Sequence, residues 1–156
     1  MYRSRLEAKW AFFMNEVGIA YEYEREYFET PVGGYLPDFY LPEQDIWIEI
    51  KPDNPTEHEK SKLRSLNNQV DGRCFFVCSF PTFWNQQLVS GAWILTVDML
   101  RVSVVSIIDD LPDPERIRSM TAIYNASKAF RSRSVADVLS EITYDTYIPK
   151  EDQSNE

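Results

Sequence analysis

Two carboxylates and one lysine have the residue types and the spacing that a catalytic site could use. Asp38 lies on one predicted strand, and Glu49 and Lys51 lie on the next. Strict alternation puts Glu49 and Lys51 beside Trp47 on one face of the second strand, opposite an inward-packing face that carries Ile46, Ile48 and Ile50. Glu49 and Lys51 are then roughly 7 Å apart along the strand, and strand pairing can bring Asp38 beside Glu49. A hydrophobic core has no need of this set.

The set suits hydrolysis of a phosphodiester assisted by a divalent metal. Carboxylate oxygens such as those of Asp38 and Glu49 are ligands that Mg²⁺ and Mn²⁺ prefer. The ammonium group of Lys51 can orient the attacking water or stabilise charge that builds up on the phosphate. One histidine and two cysteines leave no plausible zinc site. The predicted cofactor is therefore Mg²⁺ or Mn²⁺.

The same residues carry a resemblance to a known family. Pro37-Asp38, followed after ten residues by Glu49-Ile50-Lys51, resembles the PD-(D/E)XK nuclease superfamily. That superfamily includes restriction endonucleases, Holliday-junction resolvases, repair nucleases and phage recombination nucleases. The resemblance covers the first half of the chain.

The resemblance implies a restriction-endonuclease-like α/β core. Such a core has a helix, a three-stranded antiparallel meander, a second helix and a further strand, with a mixed central sheet flanked by helices. The segments 3–10, 35–38 and 47–52 are also similar to small stand-alone members encoded in bacteriophage and bacterial genomes.

The resemblance also implies a role for each motif residue. Asp38 and Glu49 are expected to bind one or two Mg²⁺ ions, with the Ile50 backbone carbonyl as a further oxygen ligand. Lys51 is expected beside the attacking water. A glutamate on the first helix often completes the metal site in this superfamily, which makes Glu7 the expected third carboxylate. The implied activity is cleavage of DNA that leaves a 5′-phosphate.

Glu7 has a second, structural interpretation. Ser4 and Glu7 have the spacing of a capping box, in which the glutamate side chain reaches back to the N-cap amide. A capping glutamate can be changed to glutamine at little cost, whereas a metal ligand cannot. The sequence leaves both interpretations open.

Periodicity and turn residues predict the elements that must position these side chains. In chain order they are a helix from Ser4 to about Val17, a strand over Ile19–Phe28, the Pro-Asp strand, the Glu-Xaa-Lys strand, a helix from Thr56 to about Asn68, a buried strand over Arg73–Phe80, strands over Gly91–Val97 and Arg101–Ile108, and a helix over Thr121–Arg133. Residues 1–150 are predicted to form a single nuclease-like domain, and 151–156 an acidic flexible tail.

Composition favours a chain that works inside a cell. The 156 residues are 44% hydrophobic, which is ample for a core. No run approaches the ~20 apolar residues that span a bilayer, and the first residues are expected to lead into an amphipathic pattern rather than a signal peptide. Cys74 and Cys78 are roughly 13 Å apart along one predicted strand, too far for a disulfide, so we expect reduced thiols. The expected location is cytoplasmic, in the host cytoplasm if the chain is phage-encoded, with no membrane partner.

The net charge of −9 argues against a protein that coats nucleic acid nonspecifically. The charge is uneven, however, because no acidic residue occurs between positions 116 and 133. This basic strip is either a DNA-facing surface or a solvated helix face, and its members are Arg116, Arg118, Lys128, Arg131 and Arg133.

Two classes of function remain open at this level. The first is a metal-dependent deoxyribonuclease, structure-directed and endonucleolytic, that serves recombination, repair or phage DNA processing. A homodimer or a protein partner is compatible with it, because two strands need two sites. The second is a catalytically silent nuclease fold that acts as a binding or regulatory module through a protein partner, which the acidic charge favours and the intact Asp38, Glu49 and Lys51 oppose.

Overall fold

The structure is a computed structural model that describes residues 1–70, 73–84, 87–90, 93–96, 101–103, 108–132 and 146–147. Within these ranges the helices are α1 (Arg5–Val17), α2 (Glu57–Gln69) and α3 (Asp113–Ser132). The strands are β1 (Tyr21–Tyr23), β2 (Phe28–Thr30), β3 (Gly33–Tyr35), β4 (Phe39–Leu41), β5 (Ile46–Lys51), β6 (Arg73–Cys78), β7 (Thr82–Trp84), β8 (Gln87–Ser90), β9 (Trp93–Thr96), β10 (Arg101–Ser103) and β11 (Thr146–Tyr147).

Seven of the described strands form one mixed sheet, in the order β10-β9-β6-β5-β4-β1-β11. Strand β5 runs antiparallel to β4 and parallel to β6, and β9 runs antiparallel to β6. Two antiparallel pairs, β2–β3 and β7–β8, lie outside this sheet. The chain is therefore an α/β protein with a mixed central sheet, as predicted.

Strand β5 lies between two hydrophobic clusters, one on each face of the sheet. On the isoleucine face, Ile50 belongs to a cluster that includes Ala11 of α1 and Ile123 of α3. On the other face, Trp47 packs in a second cluster with Leu66 of α2. The predicted alternation along β5 is confirmed. Because α2 covers the Trp47 end of its face, polar side chains further along β5 are left at the edge of that helix.

The predicted first helix, second helix and following strand are confirmed. Helix α1 begins after the N-cap Ser4 and ends at Gly18, whose φ of 74° is the left-handed conformation that favours glycine. Helix α2 carries a complete capping box, in which Thr56 and Glu59 each accept the other's backbone N–H. Strand β6 pairs in parallel with β5 across the α2 crossover.

The prediction of one strand over Ile19–Phe28 is wrong. The chain leaves the sheet after β1 because Glu24 has a left-handed φ of 47°, and its amide donates to the Asp38 carbonyl at 2.9 Å. Phe28 then starts the separate β2–β3 hairpin. The predicted antiparallel neighbours β1, β4 and β5 are present, with this hairpin inserted between β1 and β4.

The last predicted helix starts earlier than the sequence pattern indicated. Helix α3 begins at Asp113 rather than Thr121. Pro114 does not prevent this earlier start, because backbone N–H groups in a first helical turn have no intrahelical partner and proline is tolerated there. The predicted tail over 151–156 lies outside the described residues. Within the described part of the chain, no helix is long and apolar enough to cross a membrane.

Candidate active site

Asp38 is the most deeply buried charged side chain of the site, at 2% exposure. It lies immediately before β4, next to Phe39, and the pair Phe39–Ile48 is the last one between β4 and β5 at that end. The Ile50 amide lies beyond that pairing and donates to Asp38 Oδ2 at 2.7 Å. The side chain of Asp38 thus continues the contact between the two strands and is held against the segment that carries Glu49 and Lys51.

Glu49 and Lys51 point the same way from β5, as the alternation predicts. Lys51 Nζ lies 3.2 Å from Glu49 Oε1 and 2.8 Å from Glu59 Oε1. Glu59 also closes the α2 capping box, since its Oε2 accepts the Thr56 amide at 2.7 Å. The first turn of α2 therefore fixes the lysine, a contact between two elements that sequence spacing did not reveal.

Glu7 makes only half of the expected capping box. Its amide donates to Ser4 Oγ at 3.1 Å, but its carboxylate turns inward, and the residue is only 7% exposed. There Glu7 Oε2 accepts hydrogen bonds from the Tyr23 hydroxyl at 2.6 Å and from the Arg3 amide at 3.1 Å. Its negative charge acts on Asp38. The structure therefore brings Glu7 to the same site as the strand carboxylates.

Arg3 is a site residue that the sequence reasoning missed. Its guanidinium group lies 3.2 Å from Asp38 Oδ1 and forms an ion pair with Glu24. Its backbone amide also bonds the Tyr23 hydroxyl at 2.9 Å. The available signal was weak: a cation immediately before a helix cap, separated by 35 positions from the aspartate that it contacts.

A cleft of about 330 Å³ is bordered by Arg3, Glu49, Lys51 and Glu59, but not by the buried Asp38 and Glu7. Glu49 and Lys51 line it from β5, Tyr35 lines it from β3, and Glu59 lines it from α2. The other lining residues come from the chain start, the β2–β3 hairpin and α2, and they are Arg3, Tyr27, Gly34, Leu36 and Lys62. The cleft thus lies among β5, the β2–β3 hairpin, the chain start and α2.

The carboxylates of the site repel one another in a poorly solvated place. Burial, followed by the charges of Glu49 and Glu7, raises the pKa of Asp38 from 3.8 to about 8. Burial also raises the pKa of Glu49, although Lys51 acts in the opposite direction. Burial lowers the pKa of Lys51, but hydrogen bonds and charge from Glu59 and Glu49 outweigh it and raise that pKa overall. Lys51 is therefore a stable cation and hydrogen-bond donor.

The donor set fits a hard divalent cation, although no ready-made cage exists. Across the described ranges, no three His, Cys, Asp or Glu side chains are grouped closely enough to hold a metal ion. Mg²⁺, however, usually keeps several waters and binds through one or two carboxylates. Glu49 Oε2 is buried and makes no hydrogen bond of normal geometry. The charge of Glu49 also raises the pKa of Asp38. The Tyr35 hydroxyl is a donor that acts on the Glu49 carboxylate, and a buried carboxylate beside a second one is where a cation would be favourable.

Ile50 contacts the site in a way that the resemblance did not suggest. Its amide, rather than its carbonyl, makes the contact with Asp38. The expectation that the Ile50 carbonyl is a metal ligand stays a prediction.

Arg118 of the basic strip lies apart from the cleft. The guanidinium of Arg118 comes within 3.0 Å of the point where a Cβ on Gly18 would stand, at the C-terminal end of α1. Glu7 is in the first turn of that helix, about 16 Å away along its axis. A cation is favourable at a helix C-terminus, which gives Arg118 a structural reason to be there.

The other strip residues are not brought to the cleft by any described contact. Arg116 pairs with Asp113 within α3 at 2.6 Å, and Lys128 is exposed on α3. Arg131 lies on α3 with a side chain outside the description, and Arg133 lies outside the described residues. Their assignment to nucleic-acid binding stays a prediction.

In comparisons with known proteins, no family model, curated protein or solved structure matches the chain.

Proposed function

We propose that this chain is a metal-dependent nuclease of the PD-(D/E)XK type that hydrolyses DNA phosphodiester bonds. The observation that carries the proposal is the convergence of Asp38, Glu49 and Lys51, the residues of the motif, at one end of β4 and β5. A restriction-endonuclease-like core would bring the same residue types together. The burial of two like charges there is costly for stability, and a catalytic role accounts for that cost.

In this proposal Asp38 and Glu49 hold Mg²⁺ or Mn²⁺, and Glu7 supports them as a third carboxylate. The bound ion supplies charge stabilisation at the phosphate and lowers the pKa of water. Asp38 is held in place by the Ile50 amide, so its orientation is set before any ligand arrives. Lys51, positively charged and fixed by Glu59, donates hydrogen bonds toward the cleft and stabilises charge on the scissile phosphate.

Arg3 has a separate task in the same proposal. Its guanidinium lies against Asp38 and partly balances the carboxylates. Because the Arg3 side chain is 56% exposed, it can turn toward solvent or a phosphate without disturbing the core.

The test is a cleavage assay on labelled plasmid, linear duplex, single-stranded and four-way junction DNA, with Mg²⁺, with Mn²⁺ and with EDTA. Wild-type cleavage that EDTA abolishes is expected, and the preferred substrate shows whether the enzyme is a structure-directed endonuclease. Asp38→Asn should abolish activity. Lys51→Ala should lower the cleavage rate by about 10²- to 10³-fold, as for loss of one preorganised electrostatic group.

A matched control uses another lysine that pairs with a glutamate. Lys60 is on α2 and pairs with Glu57 at 2.8 Å, but it does not line the cleft. Lys60→Ala should cleave like the wild type. Cleavage that persists in EDTA, or in purified Asp38→Asn, would overturn the proposal.

The binding-module function is the second candidate, and one observation favours it. Both cations that contact the motif carboxylates are already paired, Arg3 with Asp38 and Lys51 with Glu49 and Glu59. On this hypothesis no metal ion replaces the cations at these carboxylates, and the chain binds a protein partner. The outcome that favours it is no cleavage with either metal, together with titration calorimetry that detects no Mn²⁺ binding dependent on Asp38.

The proposed setting follows from the proposed activity. DNA is the partner, a homodimer or protein partner would supply a second site for the second strand, and the cytoplasm of the cell or of a phage host is where such DNA is met. Size-exclusion chromatography with light scattering measures the oligomeric state directly.

A further inference from the structure

One wall of the cleft carries an aromatic ring that the proposed chemistry does not use. Tyr27 lines the cleft and is 59% exposed. Its hydroxyl lies directly over Gly34 of the β2–β3 hairpin, because a Cβ placed on Gly34 would stand only 1.7 Å from Tyr27 Oη. The ring therefore rests against bare backbone and keeps a large part of its surface toward solvent. An exposed aromatic ring at a polar cleft is a platform on which a base can stack.

Besides Lys51, two further cations border the same cleft. Lys62 reaches across from α2, and its Nζ donates to the Gly34 carbonyl at 3.2 Å. An ammonium group has three N–H donors, so Lys62 can bind a phosphate oxygen while it keeps that contact. Arg3 lies on the cleft lining as well, with more than half of its side chain exposed. A ring with cations nearby matches the two parts of a nucleotide, its base and its phosphate.

Size and charge favour an unpaired nucleotide over a duplex. A cleft of about 330 Å³ is at the small end of ligand sites, which span roughly 300–1,000 Å³. The protein carries a net charge of −9, and duplex DNA has roughly twice the axial charge density of a single strand. An acidic protein is therefore repelled less by a single strand, and an unpaired base, unlike one stacked inside a duplex, exposes its face to a tyrosine ring.

We propose that this cleft binds one unpaired nucleotide of single-stranded or locally unpaired DNA, with the base on Tyr27 and the phosphate beside Lys62 and Arg3. This inference rests on the proposed nuclease function and names its substrate class. The bound strand would then be unpaired where it reaches Glu49 and Lys51. Branched, nicked or frayed DNA would then be cut where strands separate.

The test measures binding without cleavage. Fluorescence anisotropy of a dye-labelled oligothymidylate and of a hairpin duplex of equal length is recorded with the full chain in EDTA. The wild type should prefer the single strand. Tyr27→Ala should weaken single-strand affinity by roughly 5- to 150-fold, the range for loss of one stacked base, whereas Tyr27→Phe should retain it.

Lysine variants test the phosphate contact. Lys62→Ala should reduce the slope of log affinity against log salt by about 0.7, the value for one phosphate contact on a single strand. Lys60→Ala, on the same helix, should leave that slope unchanged. Circular dichroism and thermal melting verify that each variant is folded. Equal affinity for the two DNA forms, or wild-type binding by folded Tyr27→Ala, would overturn the inference.

The two proposals fail separately. Metal-dependent cleavage with undiminished binding by Tyr27→Ala refutes the nucleotide site and leaves the nuclease standing. Tyrosine-dependent binding of single strands with no cleavage under any metal supports the nucleotide site and refutes the nuclease. If an RNA oligonucleotide of the same sequence binds as tightly as the DNA, the site accepts ribose as well as deoxyribose. That result would still support the stacking site.

Discussion

Replacing Asp38 by asparagine should stabilise the metal-free protein while it removes activity. Asp38 is buried beside Glu49 and Glu7, and its pKa is raised from 3.8 to about 8. At about 1.36 kcal/mol per unit of pKa, the rise corresponds to at most about 6 kcal/mol lost on ionisation. Asparagine can still accept the Ile50 amide, but it loses the attraction of Arg3. We therefore expect a net gain on the order of 2 kcal/mol, or about 4–8 °C in Tm.

The gain should depend on pH, with a definite sign. The folded pKa of Asp38 is raised, so the stability that its neutral form contributes is complete below the unfolded pKa and is lost as pH rises toward about 8. Asparagine does not ionise and loses nothing over this range. The difference in Tm between Asp38→Asn and wild type should therefore be small near pH 4 and largest near about pH 8.

The assay is thermal melting of both proteins in EDTA across this pH range. Asp113→Asn is the matched control, because Asp113 has a side chain that is 78% exposed and pairs only locally with Arg116. That variant should show no gain that grows with pH. A folded Asp38→Asn protein that melts below wild type at about pH 8, or a gain that does not change with pH, would refute the reasoning.

Three further predictions concern the elements around the site. Cys74 is buried, and burial raises the pKa of its thiol to about 12. Cys74 should therefore react with Ellman's reagent only in denaturant. Rapid reaction in the native protein would contradict this. Thr56→Ala removes the hydroxyl that accepts the Glu59 amide at 3.2 Å and should cost about 1 kcal/mol by urea denaturation, whereas an unchanged midpoint would show that the cap is dispensable. Leu66→Ala, at a fully buried position of α2, should cost about 2–5 kcal/mol, and a loss below 1 kcal/mol would mean that this face is poorly packed.

Local patterns predicted the parts of the fold that depend on local physics. The isoleucine alternation of β5 was predictable because side chains of a strand alternate between faces, and both faces are packed here. The capping box of α2 was predictable because Thr56 and Glu59 are only three positions apart. The apolar run of β6 indicated a central strand because both of its edges and both of its faces are covered.

Contacts between distant residues account for what the sequence could not predict. Alternation cannot reveal that Glu24 adopts a left-handed conformation, because the Asp38 carbonyl that its amide meets is distant in sequence. Glu7 has a perfect capping spacing, yet its carboxylate is drawn to Tyr23, which belongs to another element. The pairing of Arg3 with Asp38 has the same origin.

The contact between Gly34 and Tyr27 has a consequence for how this site can evolve. Any larger residue at position 34 would collide with the end of the Tyr27 side chain, and the tyrosine would move before the backbone did. Substitution there would thus change the cleft wall at little cost to the sheet. Among descendants of this sequence, we expect positions 27 and 34 to change together, so that glycine is kept wherever the aromatic ring is kept. Divergence in substrate preference should begin at these two positions.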